Sequence, residues 1–374
     1  MAKSKGVRRA SLAAVCTLTL AAAACGGSDS SGDSSGGSGG GSAGKVGVIL
    51  PDTTTSPRWE ANDKPSLQKA FDDAGIESDI QNAGGDVSKF GTICDGMISE
   101  GVQVIMIVNL DSDSGGACLK KATAAGIQSI DYDRLTLGGG ASYYVSFDNV
   151  AVGGLMGTGL IKCLDDMGKP QANIVYINGD PTDNNAALFK SGYEETLKPK
   201  IDSGDYTLVG DQTGKWDANV ASTTFEQLYT QNGGDIDGVV SANDTMAGGI
   251  VAVLAKNNLD DKVPVTGQDA SVEGLQRLLA GTQCMTVYKN VALEAKAASD
   301  LAIALITGDT AAADALATGS VMDTETNQEV KSALATPEAI YQDTVTKVIA
   351  DGFQTKEDVC TSKFADLCTK YGVE

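Results

Sequence analysis

Histidine is missing from all 374 residues of the chain. Its absence removes the commonest general base and the commonest metal ligand together. A Ser-His-Asp triad, a Cys-His pair and a His-based zinc site are excluded. Basic residues are scarce, with 28 Lys and Arg against 49 Asp and Glu, a net charge of −21. A surface this acidic repels nucleic acid and anionic lipid. GxxxxGK does not occur, so no phosphate-cradling loop of that kind is expected. Two partial motifs fail as well. Residues 111–116 (DSDSGG) open like a calcium loop, but position twelve is Ala122, where a bidentate Glu is required. Residues 153–159 (GGLMGTG) lack the spacing of a dinucleotide fingerprint and read as close helix packing. Neither a cofactor nor a metal is expected, and no catalytic residue is assigned.

The N-terminal residues 1–24 read as an export signal. Lys3, Lys5, Arg8 and Arg9 form its positive head. Residues 12–24 are apolar but too short and too rich in Ala for a membrane span. The run ends at AAAC, residues 22–25, followed by two glycines. This is similar to a bacterial lipoprotein box, with Cys25 as the lipidated first residue; the alternative is an ordinary signal with an incidental Cys. Residues 25–44 are almost wholly Gly, Ser and Asp, a composition that behaves as a flexible tether. Anchor and tether together place an exported, lipid-anchored domain on the outer face of the bacterial cytoplasmic membrane. Removing the four basic signal residues takes the charge from −21 to −25. About 330 residues remain, enough for two domains with their own cores.

Six cysteines stay in that part: Cys94, Cys118, Cys163, Cys284, Cys360 and Cys368. Their spacings match no zinc pattern, and an even number in an exported chain favours disulfides, with 15 pairings open. Cys360–Cys368 is expected as a local clip and Cys94–Cys118 as a link between neighbouring βα units. Cys163–Cys284 is what remains, with free buried thiols as its alternative.

Hydrophobic periodicity gives an α/β reading. Strands are expected at residues 45–50, 77–81 and 102–108, and at an apolar run ending in Asp131. Helical patterns separate them, the signature of a parallel sheet covered on both faces. A strand at 142–149 follows, after which the alternation begins again. Further strands are expected at 172–177, 206–209, 238–241, 263–267 and 284–288. The whole reads as two similar doubly wound parallel-sheet lobes in series, sharing three crossover strands. Crossings near Phe147, Met285 and Val321 divide it into 45–147 plus 286–321 and 148–285 plus 322–374.

Seven of the expected strands are followed by a polar cluster, at the edge where open α/β sheets bind ligands. Arg58 and Trp59 follow the first strand, and Asp133 and Arg134 the fourth. The second lobe supplies Asp183 and Asn185, Trp216, Asn243 and Asp244, Asp269 and, last, Lys289. Any one cluster, taken alone, is better explained as a turn or helix cap. Their recurrence along one edge favours ligand contact. Carboxylates accept hydrogen bonds, Arg and Lys donate them and Asn does both, which suits a small polyhydroxylated ligand. Trp59 and Trp216, the only tryptophans, sit in polar loops, where an indole face can meet the C–H face of a pyranose.

PRW, YDRL, SFDN, DPTDNNAALF, LKPKIDSGDYTLVGDQ, ANDTMAGG, GQDAS and AGTQCMTVYK occur in that order. With them the chain, from Lys45 onward, resembles the sugar-binding type I periplasmic binding proteins, in particular the D-xylose-binding proteins of bacterial ABC importers and the related multiple-sugar binders. The resemblance implies two lobes that close on a monosaccharide, held by the eleven residues just named, and recognition of the closed form by a membrane permease. It departs at the Thr-rich TTTSP before Arg58 and at Asn290, where Pro is expected after Lys289. Other readings are weighed beside it. One is the same binder serving a receptor kinase or chemoreceptor. A glycosidase would use two carboxylates such as Asp133 and Asp183. A repressor sharing the fold is discarded because an export signal stands where its DNA-binding helices would be. A monomer is expected.

Overall fold

The computed structural model describes residues 44–373. The signal segment, Cys25 and the tether before Gly44 lie outside the described residues. The first lobe begins with β1 (Lys45–Leu50), α1 (Lys64–Ala74), β2 (Glu77–Asn82) and α2 (Val87–Ser99). It continues with β3 (Val104–Ile107), α3 (Ser112–Ala124), β4 (Gln128–Tyr132) and β5 (Tyr143–Phe147). The chain then crosses into the second lobe. There it forms α4 (Asn149–Asp166), β6 (Ala172–Asn178), α5 (Asn184–Asp202), β7 (Tyr206–Thr213) and α6 (Ala218–Gln231). β8 (Gly238–Ser241), α7 (Asp244–Lys256), α8 (Val272–Ala280) and β9 (Met285–Tyr288) complete that passage. A second crossing leads to α9 (Val291–Ile306), α10 (Thr310–Leu316), β10 (Gly319–Asp323) and β11 (Gln328–Ala335). A third leads back to β12 (Glu338–Tyr341) and the short helices α11 (Val345–Ala350), α12 (Lys356–Val359) and α13 (Ala365–Lys370).

The first sheet has the order β10-β11-β5-β4-β3-β1-β2 and is parallel except for the β10–β11 pair. The second is β7-β6-β8, extended by single bridges through Val265 and Gln268 to the antiparallel pair β9–β12. Strands β1 and β3 are almost wholly buried, as the continuous apolar runs of a two-sided parallel sheet require. Helices cover both faces, and each lobe builds its own core. The expected strand at 263–267 is reduced to the bridge at Val265.

The last two crossings lie further along the chain than expected. β9 remains in the second lobe to Tyr288, and the return comes at 336–337 rather than near Val321. The reason is local. β10 and the first half of β11 are mostly exposed, and polar residues interrupt both strands, so they lack the continuous apolar run that marks a parallel strand. What joins them is an Asx-type turn, in which Asp323 accepts from the N–H groups of Glu325 and Thr326.

The glycine run at 153–159 lies within α4, pressed against α5. A Cβ on Gly192 would stand 2.1 Å from the Val150 carbonyl oxygen, so only glycine permits this approach. Disulfides join Cys94 to Cys118 across α2 and α3, Cys163 of α4 to Cys284 before β9, and Cys360 to Cys368.

Candidate functional site

Ten of the eleven residues singled out in the sequence line one cavity between the carboxyl edges of the two sheets. They are Arg58, Trp59, Asp133, Arg134, Asp183, Asn185, Trp216, Asn243, Asp269 and Lys289. Thr55, Ser56, Phe189 and Gln268 complete the wall. Arg58 and Trp59 come from the loop and helical turn after β1, Asp133 and Arg134 from the end of β4. Lys289 follows β9 at the second crossing.

The first-lobe wall is an ionic network. Arg58 Nε and Nη2 donate to Asp63 at 2.8 and 2.6 Å, Nη1 to Asp133 at 2.7 Å, and Nη2 also to Glu294 at 2.5 Å. Tyr132 donates its hydroxyl to Asp63 at 2.7 Å. Burial opposes the charge on Arg58, but three carboxylates hold its pKa well above the ordinary value. Burial likewise works against the Asp133 carboxylate, yet Lys289, Arg58 and Arg134 pull its pKa down to about 2. The guanidinium of Arg58 lies 4.6 Å from the Trp59 ring centre, an orienting cation–π contact.

The second-lobe wall is built from helix N-termini. Asp183 caps α5 by accepting from the Asn185 N–H, and Asn243 caps α7 by accepting from the Met246 N–H. Trp216 precedes Asp217, the cap of α6, and its indole lies against Gly179, where a Cβ would collide with the ring. Asp133, Trp216 and Asp269 all have positive φ, at 63°, 58° and 103°. Such backbone costs about 1–3 kcal/mol per residue and persists where the surroundings over-determine it. Three strained residues around one cavity, one from the first lobe and two from the second, mark it as a place where position matters more than local comfort.

Direct contacts join the two walls. Ser56 donates to Asp269 at 2.8 Å, Asn243 to the Thr55 carbonyl at 3.1 Å, and Asn185 to the Asp133 side chain at 3.0 Å. Arg134 Nε stands 2.9 Å from Asp183 in an ion pair whose N–H is not aligned for a hydrogen bond. Lys289 Nζ lies 3.6 Å from Asp133 and 3.7 Å from Asp269. The lining therefore carries three cations and three carboxylates, a balance that suits a neutral ligand. Among the described residues, Arg134 Nε, Trp216 Nε1, Gln268 Oε1 and Asp269 Oδ1 are buried without a hydrogen-bond partner. Leaving such an atom unpaired costs about 1–3 kcal/mol. Of these four, Arg134 Nε and Asp269 Oδ1 keep ion-pair partners, so Trp216 Nε1 and Gln268 Oε1 are the donor and the acceptor left for a small ligand that both gives and takes hydrogen bonds.

Asp244 does not line the cavity. It is 1 % exposed and accepts from Ser271 N, Ser271 Oγ, Gln283 Nε2 and Thr286 Oγ1. Burial, offset by Arg277 and these donors, leaves its pKa raised to about 6. The AND motif holds two adjacent side chains on a helix N-terminus, where neighbours point in different directions. Asn243 faces the cavity, and Asp244 braces the loop that carries Asp269. Among the residues not singled out, Gln268 stood inside the GQDAS motif and was within reach. Phe189 belongs to an amphipathic helix face and reads like any core residue.

Residues 46–310 match the family described as periplasmic binding protein domain. The D-xylose-binding periplasmic protein of Escherichia coli (strain K12) is 34 % identical over 317 residues, covering 84 % of this chain and 92 % of the relative. The multiple sugar-binding periplasmic receptor ChvE of Rhizobium radiobacter is 32 % identical over 334 residues, with the same two coverages. Among solved structures, a carbohydrate transporter solute binding protein from Chloroflexus aurantiacus in complex with D-glucose superposes with a TM-score of 0.76 at 27 % identity. It covers 84 % of this chain and 97 % of its own. The chain belongs to the periplasmic binding proteins and has their type I fold.

Proposed function

We propose that this protein is an exported solute-binding protein that captures a monosaccharide, D-xylose first, between two closing lobes and presents it to an ABC importer permease. The observation that carries this reading is the cavity itself. It combines balanced charge, an unpaired donor and acceptor, and two tryptophans, between the carboxyl edges of two parallel sheets. The names of the two sugar-binding relatives agree with that chemistry. The ligand is held by Arg58, Trp59, Asp133, Arg134 and Lys289 with Asp183, Asn185, Trp216, Asn243 and Asp269. Binding energy shifts an open–closed equilibrium, and no covalent step is involved. Cys25 supplies a lipid anchor that keeps the domain beside its permease.

A multiple-sugar binder is the second reading, favoured by the similar identity to the ChvE relative. A thermal-shift screen against pentoses and hexoses separates the two, because a ligand that binds only the folded state raises Tm. A rise with D-xylose alone supports the dedicated binder. Comparable rises with glucose, galactose or arabinose support the broader one. No rise with any monosaccharide overturns the sugar assignment.

A further inference from the structure

Glu294 lies behind the cavity wall, on the first turn of α9 just past Lys289. It is fully buried. Its Oε2 accepts from Arg58 Nη2, while Oε1 has no hydrogen-bond partner among the described residues. A guanidinium has five N–H groups. In Arg58 four of them go to Asp63, Asp133 and Glu294, which leaves one Nη1–H for the cavity. Glu294 thus closes the cage that decides which way this last donor points.

We propose that Glu294 is a positioning residue for the sugar site, fixing Arg58 from behind, and that lobe closure over the ligand traps a proton on its carboxyl group. The proposal rests on the monosaccharide reading above. Facing Glu294 are Arg58 from the loop after β1, Asp63 from the following turn and Asp133 from the end of β4. The phenols of Tyr132 and Tyr144 and the ammonium of Lys289 complete its charged surroundings. An ionised Glu294 would be the third carboxylate on one guanidinium. Burial raises its pKa to about 8, against the attraction of Arg58.

Arg58 and Asp133 both belong to the cavity wall. Opening the lobes brings water to these immediate partners and lowers the cost of ionising Glu294; closing them restores it. The closed form therefore holds the proton more tightly. By linkage, a ligand that stabilises closure takes up a proton, and affinity falls as pH rises toward 8. The limit for one proton is about tenfold in affinity per pH unit.

The test is calorimetric titration of the full chain with D-xylose between about pH 6 and 9, in buffers of differing ionisation enthalpy. The expected result is uptake of up to one proton and a Kd that weakens with pH. E294Q should bind more weakly, take up no proton and show a flat pH profile. Xylose binding without proton uptake overturns the inference and leaves the sugar reading intact. Uptake that persists in E294Q assigns the proton elsewhere, to Asp183 first, and also overturns it. Should E294Q fold poorly, the unaltered protein decides: uptake that persists up to about pH 8 before it fades supports Glu294, and uptake already gone by about pH 7 refutes it. If no monosaccharide binds, both readings fall.

Discussion

The two walls of the cavity hold their functional side chains in different ways. The first-lobe wall clamps Arg58 and Asp133 in a buried ionic network whose members depend on one another. The second-lobe wall places Asp183 and Asn243 at helix N-caps, where the backbone sets their position, with Asp183 alone of the two also facing a charge, that of Arg134. Removing a member of an ionic network exposes the others to an unpaired buried charge. Replacing a cap by another capping residue disturbs one contact. Stability should therefore be concentrated on the first wall, and separable affinity on the second.

The largest effect tests the network. Arg58→Met should destabilise the protein by about 3–5 kcal/mol, because Asp63, Asp133 and Glu294 lose their counter-ion. Urea unfolding measures it, and a loss below about 1 kcal/mol would break the contrast. Gly192→Ala, far from either wall, should cost about 1–3 kcal/mol by forcing α4 from α5. It provides a purely steric reference, with sugar affinity changing less than stability.

The pH dependence sharpens the comparison. Glu294 and Asp131 of the first lobe have carboxyls raised to about 8 and about 7 by burial, and Asp244 of the second to about 6. A raised acid contributes stability that is present below its unfolded pKa and lost as pH rises through the folded one. Tm should accordingly fall between about pH 5 and 8, most steeply below about pH 6, where all three carboxyls are protonated only in the folded state, and more gently above it, where the first-lobe groups alone carry the slope. Asp133 acts in the opposite sense: its stability is present above the ordinary carboxylate range and lost as pH falls toward 2. A melting curve that rises monotonically from pH 5 to 8 would contradict this assignment.

The smallest stability effect belongs to the second wall. Asn243→Ser keeps a capping oxygen, so unfolding free energy should change by no more than about 0.5 kcal/mol. The bond to the Thr55 carbonyl is lost, and sugar affinity should fall several-fold in calorimetry. An equal loss of stability and affinity would show that cap and contact cannot be separated.

Much of this was legible along the chain. The alternation of apolar runs with amphipathic segments implied two parallel-sheet lobes, and strand-end clusters named ten cavity residues, because βα units put their loops on one edge. Capping chemistry and ligand chemistry draw on the same Asp and Asn residues, so the sequence could not tell Asn243 from Asp244. Nor could it place β11 in the first lobe, since its residues are polar and its pairing with β5 spans nearly two hundred positions. What sequence determined by itself was local: periodicity, turn chemistry, the absence of histidine and the order of the clusters. Tertiary structure alone decided which carboxylates share Arg58, which polar atoms lack a hydrogen bond and which acids are buried. Those depend on distances between residues remote in sequence, and on a burial that no single stretch of chain can supply.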